Sequence, residues 1–154
     1  MWEAYQRFRA LDPKAQKFFG RAVILLPWVM VSLRLRGFKK TQARLQERLP
    51  PAPQVASGAD HEMVQTICRM VKAAGHYGIA RPNCLEESLV LWYLLQRERA
   101  AAALRIGVRK SSGEFEAHAW VEYHGAALNQ GDEWTHPHYA AFEAEFSQFS
   151  GEKP

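Results

Sequence analysis

The sequence contains little cysteine and lacks the features of a secreted chain. Cys68 and Cys84 are the two cysteines among 154 residues, too few to build a disulfide framework. The N-terminal stretch MWEAYQRFRALDPK has no charged start followed by an apolar run and a small-residue cleavage site, as a secretory signal would. We therefore predict a cytoplasmic protein in which both thiols are free.

Long hydrophobic runs are also absent. The longest apolar window, AVILLPWVMVSL at 22–33, is about a dozen residues long, whereas a helix needs about 20 to cross a bilayer. We predict that this segment packs inside the fold, with Pro27 either kinking a helix or opening its second half. The alternative is an interfacial anchor assisted by the basic residues between Arg34 and Lys40. Membrane contact is not expected.

The signatures of nucleic-acid, metal and phosphate binding are missing too. The sequence has no RNA-binding aromatic signature, no zinc-finger spacing and no phosphate-binding glycine loop. The formal charge of +4 is modest and comes mostly from the first fifty residues, which is typical of a solvated basic face. The HPH stretch at 136–138 offers two ligands separated by proline, a weak metal site. We predict no nucleic-acid partner, no metal and no cofactor.

The composition of the chain and the positions of its proline and glycine residues predict one compact α+β protein. Its apolar and charged fractions, 47% and 23%, are ordinary for a globular chain of this length. A basic helical region is predicted over 1–49, with helices at 2–10 and 14–36, a stop at Gly37 and a polar helix after it. A proline-rich linker follows at 50–60, and the remainder, 61–154, forms the second region.

The second region is predicted to begin with a helix and to end in a sheet. Asp60 is suited to cap a helix over about 61–75, and Gly75 and Gly78 are expected to end it. Apolar residues alternate with polar ones over 104–109 and 115–123, and period two indicates strands. The turns KSSGE and HG join these strands and a third into an antiparallel meander. The predicted apolar helix face consists of Met63, Ile67, Met70, Val71 and Ala74.

Cys84 stands between a stop signal and the most apolar predicted helix, in RPNCLEESLVLWYLL. With Asn83 as N-cap, the thiol lies at a helix N-terminus, where unpaired N–H groups and the helix dipole favour negative charge. A cysteine in this place is suited to act as a nucleophile. Free cysteines are, however, most often inert packing residues, so the position alone leaves both interpretations open.

His118 supplies the second half of a candidate catalytic pair. It lies in mid-strand, opposite in direction to Ala117, Ala119 and Val121 and beside Trp120. Alone it would be a solvated strand residue; with a cysteine at a helix start it offers a base for the thiol. The strand after the HG turn returns LNQGD alongside His118, so either Asn129 or Asp132 is a candidate to orient the imidazole.

The segment from Cys84 to Asn129 resembles one family. The segment contains, in order and at compact spacing, the motifs CLEESLVLWYLL, LRIGV, AHAWVE, G and LN. In this order and spacing it resembles the peptidases of lasso-peptide biosynthesis, which are transglutaminase-like cysteine proteases. AHAWVE alone is shared by transglutaminase-like domains in general, whereas the combined set is specific. The stretch FFGRAVILLPWVMVSLRLRGFKK is similar to the leading region of that family, less specifically.

The resemblance implies a transglutaminase-like or papain-like fold, with a helical layer and a central cysteine-bearing helix on a small antiparallel sheet. It also implies a cysteine peptidase that removes the leader from a lasso precursor, with Cys84 as nucleophile and His118 as general base. The family has an acid directly after LN, where this chain has Gln130, so the orienting role stays with Asn129 or Asp132. A second departure is Glu87, where the family commonly has arginine.

The partners implied are the precursor peptide, a separate leader-recognition protein and a lasso cyclase. Residues 1–60 lack the alternation of the strand-containing module with which some members of the family bind leaders, so the split form of the peptidase is expected. Two alternatives stay open. The same Cys–His pair can transfer an acyl group to an amine, as in transglutaminases or arylamine acetyltransferases, or the chain can be a non-catalytic scaffold that docks a precursor and an enzyme.

Overall fold

The computed structural model of the chain describes residues 9–51, 60–111, 114–129 and 140–141. Most of the helix predicted at 2–10 and of the linker predicted at 50–60 lies outside these ranges. The described part contains three helices, α1 (Pro13–Gln46), α2 (His61–Tyr77) and α3 (Cys84–Arg97), and a four-stranded sheet. The strands are β1 (Ala102–Ser111), β2 (Glu114–Tyr123), β3 (Ala126–Ala127) and β4 (Ala140–Ala141).

Helix α1 consists of two helical segments separated at Gly37. The helix begins after Asp12, whose carboxylate accepts a hydrogen bond from Lys14 N–H at 3.1 Å, and the backbone stays helical at Pro27. At Gly37 the backbone has φ 76° and ψ 175°, a conformation open to glycine because it has no Cβ. The predicted stop at Gly37 is therefore confirmed as a break, and the polar helix predicted after it continues to Gln46.

Two hydrogen bonds hold the break in α1. The hydroxyls of Ser32 and Thr41 lie 3.0 Å apart in the interior, and the Thr41 hydroxyl donates to the Gly37 carbonyl at 2.9 Å. Leu45, in the segment after the break, is fully buried and belongs to the core. The second segment is thus fixed to the first by polar contacts and to the rest of the protein by an apolar one.

One face of α1 packs in the core and the opposite face is exposed. Within 22–33 the buried side includes Leu26 and Val29, so the predicted core packing is confirmed for one face of the segment only. Ile24, Val31 and Leu35 are 74%, 54% and 74% exposed, which the sequence analysis did not predict. By length and composition alone α1 could cross a membrane, and only 28% of its most apolar stretch is buried within the protein. The prediction that this segment is too short to span a bilayer is therefore wrong, because the helix that contains it runs from Pro13 to Gln46.

Helix α2 is confirmed at its start and extends beyond its predicted end. The Asp60 side chain accepts from Glu62 N–H at 3.2 Å, and the helix ends at Tyr77 with Gly78 as its cap. The prediction that Gly75 ends the helix is wrong. Gly75 is a buried helical residue, and a Cβ there would come 3.0 Å from the Pro82 ring, so glycine lets the loop before α3 approach. Ile67, Met70, Val71 and Ala74 of the predicted apolar face are buried, together with Val64, which was not predicted, while Met63 is only partly buried.

The sheet is antiparallel in the order β3-β2-β1-β4. The predicted three-stranded meander is confirmed, although β3 is short, and the pairing of β4 with β1 was not predicted. Leu104 and Val121 are paired in register and lie with Tyr123 in one hydrophobic core with all three helices. Helix α3 is central to that core, because its residues from Ser88 to Leu95 are all buried. The predicted α+β architecture is therefore confirmed.

Candidate active site

A capping box fixes the start of the helix that carries Cys84. The Asn83 side chain accepts from Leu85 N–H and Glu86 N–H, both at 3.0 Å. The Glu86 carboxylate accepts from Asn83 N–H at 2.8 Å. Cys84 is the first residue of the helix, as the sequence predicts, and the reciprocal pair of side chains holds the turn in one conformation.

The same box leaves the Cys84 amide available. The first N–H groups of a helix have no partner within the helix, and here Asn83 takes up those of Leu85 and Glu86. Within the described residues the Cys84 N–H has no hydrogen-bond partner. An amide donor therefore lies on the same residue as the thiol, at the positive end of the helix dipole.

Cys68 lies in a different environment. Burial within helix α2 raises the pKa of its thiol to about 11, partly offset by a backbone hydrogen bond and reinforced by the nearby Glu87 carboxylate. At neutral pH such a thiol is protonated and a poor nucleophile. The two cysteines are thus chemically distinct, which supports the choice of Cys84 as the candidate nucleophile.

His118 lies on β2 beside Trp120, as the sequence predicts. It pairs in register with Gly107, and its ring stacks on the Trp120 ring with centroids 6.1 Å apart and an interplanar angle of 17°. The residue is half-buried, and its Nε2 atom is buried. The indole beside the imidazole and the burial of Nε2 restrict the orientations open to the ring.

Ser88 connects the helix of Cys84 to the strand of His118. Its hydroxyl donates to the Ala119 carbonyl at 2.9 Å. Ser88 is one helical turn beyond Cys84 and therefore on the same helix face, while Ala119 is the residue after His118. This contact brings the cysteine end of α3 against the part of β2 that carries the histidine.

The role of Ser88 is not predicted by the sequence motifs, although its position carries a signal. It is a small polar residue followed by the long apolar run that fills the core, and its side chain is fully buried. Burying a hydroxyl without a hydrogen bond is unfavourable, so a serine at the start of a buried helix face predicts a hydrogen-bond partner on a neighbouring element.

Asn129 lies beside Ser88 and next to β2. Its side-chain N–H donates to the Ser88 hydroxyl at 2.8 Å, and its side-chain carbonyl accepts from Val121 N–H at 2.9 Å. Both ends of the amide are thus engaged by α3 and β2. Asp132, the other candidate for the orienting role, and Gln130 lie outside the described residues.

Glu87, the second departure from the family pattern, faces helix α2. Its carboxylate lies beside Gly75, and burial raises the pKa of the Glu87 carboxyl, while Lys72 acts in the opposite direction. The residue therefore contributes to the α2–α3 contact. In the described part of the chain no group of three or more His, Cys, Asp or Glu residues is placed to hold a metal ion.

Comparison with known proteins identifies the family. A family model described as "Transglutaminase-like superfamily" matches residues 24–143, most of the chain. No curated protein and no solved structure matches the chain. The matched range includes α1 from Ile24 onward, α2, α3 and the whole sheet, and therefore the Cys84 and His118 positions.

Proposed function

The chain belongs to the transglutaminase-like superfamily, and from its site we propose that it is a cysteine peptidase that removes the leader from a ribosomally made lasso-peptide precursor. The superfamily supports an enzyme of the cysteine-protease or acyl-transfer type. The finer assignment rests on the resemblance of the segment from Cys84 to Asn129 to lasso-peptide peptidases. The observation that supports a Cys84–His118 pair is the Ser88–Ala119 hydrogen bond, which joins the helix of Cys84 to the strand of His118.

In the proposed first step, His118 accepts the thiol proton and the Cys84 sulfur attacks the carbonyl of the last leader residue. The carbonyl oxygen becomes an oxyanion, and the Cys84 N–H is the donor that stabilises it. The protonated imidazole then gives its proton to the amine of the first core residue as the C–N bond breaks. The products are the free core peptide and a thioester between the leader and Cys84.

In the second step, water replaces the amine. His118 takes a proton from water, the hydroxide attacks the thioester, and the C–S bond breaks. The proton returns to the sulfur, so the leader leaves as a carboxylic acid and the enzyme is restored. The orienting residue for His118 is proposed to be Asn129 or Asp132. Asn129 lies next to the same strand, and an amide fills this role in papain-like proteases. Both ends of the Asn129 amide are, however, already bonded to Ser88 and Val121, which favours Asp132.

Cleavage of the precursor by matched cysteine variants tests this function. Cys84→Ala should abolish release of the core peptide, while Cys68→Ala should cleave at nearly the wild-type rate because its buried thiol takes no part. In ¹⁸O-labelled water the released leader should carry one ¹⁸O in its carboxylate. An amide-linked product in the presence of added amine, with no labelled acid, would identify an acyltransferase and contradict the peptidase assignment.

A separate leader-recognition protein and a lasso cyclase are proposed as partners. Two features of α1 support the first. Its outer face exposes Ile24, Val31 and Leu35, and the helix carries basic residues without a single Asp or Glu. An apolar strip between cations suits a partner with an apolar patch and acidic rim. The basic residues of α1 are Lys14, Lys17, Arg21, Arg34, Arg36, Lys39, Lys40 and Arg44.

A further inference from the structure

At one edge of β2 the described backbone hydrogen bonds to the following chain stop at Leu128, and the next partner of β2 is the side chain of Asn129. Leu128 N–H donates to the Val121 carbonyl at 2.9 Å, as in an antiparallel ladder. The Val121 N–H, which points to the same edge, donates to the Asn129 side chain at 2.9 Å. Asn129 therefore takes the place that a strand carbonyl would occupy in a continuing ladder.

The next carbonyl along that edge is taken by the helix. Alternate residues of a strand direct their backbone groups to the same edge, so the Ala119 carbonyl follows that of Val121. It accepts the hydrogen bond from Ser88, whose oxygen in turn accepts from Asn129 at 2.8 Å. Ser88, Asn129 and the Ala119–Val121 backbone thus form a closed ring of hydrogen bonds.

We infer that Ser88 and Asn129 act together as positioning residues that hold Cys84 against His118. The inference rests on the proposed function and deepens it. The ring lies one helical turn from Cys84 and one residue from His118, and it forms a polar link between α3 and β2. Because the Ser88 hydroxyl gives its hydrogen to Ala119 and its lone pair to Asn129, losing either side chain opens the ring.

A double-mutant cycle tests the link. Ser88→Ala, Asn129→Ala and the double variant should each lower kcat by about 10²-fold, since a displacement of about 1 Å can have that effect. KM should change little, because the substrate contacts are kept. The losses should not multiply, since both single variants break the same link.

Ser32→Ala is the matched control for the loss of a buried serine hydroxyl. Ser32 bonds to Thr41 at 3.0 Å within α1, away from Cys84 and His118 along the chain. Its thermal melting midpoint should fall about as much as that of Ser88→Ala, while its kcat stays at the wild-type value. A kcat for Ser88→Ala within twofold of wild type would overturn the inference.

The cycle also separates positioning from direct orientation of His118. If kcat falls much more in Asn129→Ala than in Ser88→Ala, and the two losses multiply in the double variant, then Asn129 acts on the imidazole itself. That result would also overturn the inference.

The rate of Cys84 alkylation by iodoacetamide gives a readout without substrate. Both single variants should lower it toward the rate of His118→Ala. If the wild-type chain cleaves no precursor but both single variants lower the rate of Cys84 alkylation as expected, the proposed function fails and the positioning role stands.

Discussion

At the scale of single residues, side chains of the same type differ in chemistry because they differ in burial and in the groups that they contact. Two free cysteines occur in the chain, one at a helix start and one inside α2, where the pKa rises to about 11. Glu86 and Glu87 are adjacent, yet the first completes the capping box and the second is held against α2. The chemistry of each group follows from what its side chain touches.

The buried thiol should be alkylated slowly at neutral pH. With a pKa of about 11 for Cys68, roughly one thiol in 10⁴ is ionised at pH 7, and the rate should rise about tenfold per pH unit. The measurement is mass-spectrometric quantification of iodoacetamide labelling at Cys68 in Cys84→Ala between pH 7 and 10. In the wild-type chain at pH 7, Cys84 should be labelled first. A Cys68 rate that levels off near pH 8 would contradict this assignment.

Replacing Glu87 by glutamine should stabilise the protein near neutral pH. Burial raises the carboxyl pKa above its ordinary value, so the folded chain holds this proton more tightly than the unfolded chain. The stability that the protonated group contributes is present at low pH and is lost as the pH rises through the folded-state pKa. Glu87→Gln keeps the neutral form at every pH, and its benefit should therefore disappear in acid.

Thermal melts of Glu87→Gln at pH 7 and pH 4 measure this effect. For a chain of this size each kcal/mol gained corresponds to about 2–4 °C in Tm. Glu47→Gln, an exposed position at the end of α1, is the control and should change stability by less than about 0.5 kcal/mol. A Glu87→Gln variant that melts below the wild type at pH 7 would mean that attraction to Lys72 exceeds the cost of burial.

At the scale of helices and strands, the local signals in the sequence were reliable. Asp60 and Asn83 begin the helices that they were predicted to begin, because an N-cap bonds to amides only two or three residues away. Gly75 was misread, since its role is to admit Pro82 from a loop that comes later in the chain. The partner of Ser88 lies 31 residues away, and local patterns carry no information about such contacts.

The break in α1 gives a test at this scale. Gly37→Ala places a Cβ on a backbone with φ 76°, so it should destabilise the fold by about 1–3 kcal/mol. Gly20→Ala is the matched control, because Gly20 is helical and the described chain leaves open space where its Cβ would lie. It should be neutral or stabilise by about 1 kcal/mol. Equal stabilities of the two variants in urea unfolding would mean that the break in α1 needs no glycine.

At the scale of the whole molecule, residues from both sides of the predicted linker share one core. Leu26 and Leu45 of α1 lie in the same cluster as Val71, Leu94 and Val121. The shared core joins α1 to the elements of 61–154. The division of the chain into regions 1–49 and 61–154 stays a prediction. What α1 adds is its outer face, whose apolar residues no described part of the chain covers.

That face should govern the response to a leader-recognition partner. The partner should raise the rate of leader removal by raising effective concentration, and more so at low salt. Ile24→Ser with Leu35→Ser should abolish this gain while leaving the unassisted rate unchanged, because both side chains point away from the core. Cleavage time courses with and without partner at two salt concentrations measure it. An unchanged gain, or binding of the wild-type chain to anionic vesicles in place of the partner, would contradict this role of α1.

The central claim is that Cys84, activated by His118, forms the covalent bond to the leader. A leader peptide ending in a chloromethyl ketone, followed by digestion and mass mapping, tests it directly. We expect one adduct per chain on the peptide that contains Cys84, none on Cys68, and a greatly slowed reaction in His118→Ala. An adduct on Cys68, or precursor cleavage that continues while Cys84 stays unmodified, would contradict the account.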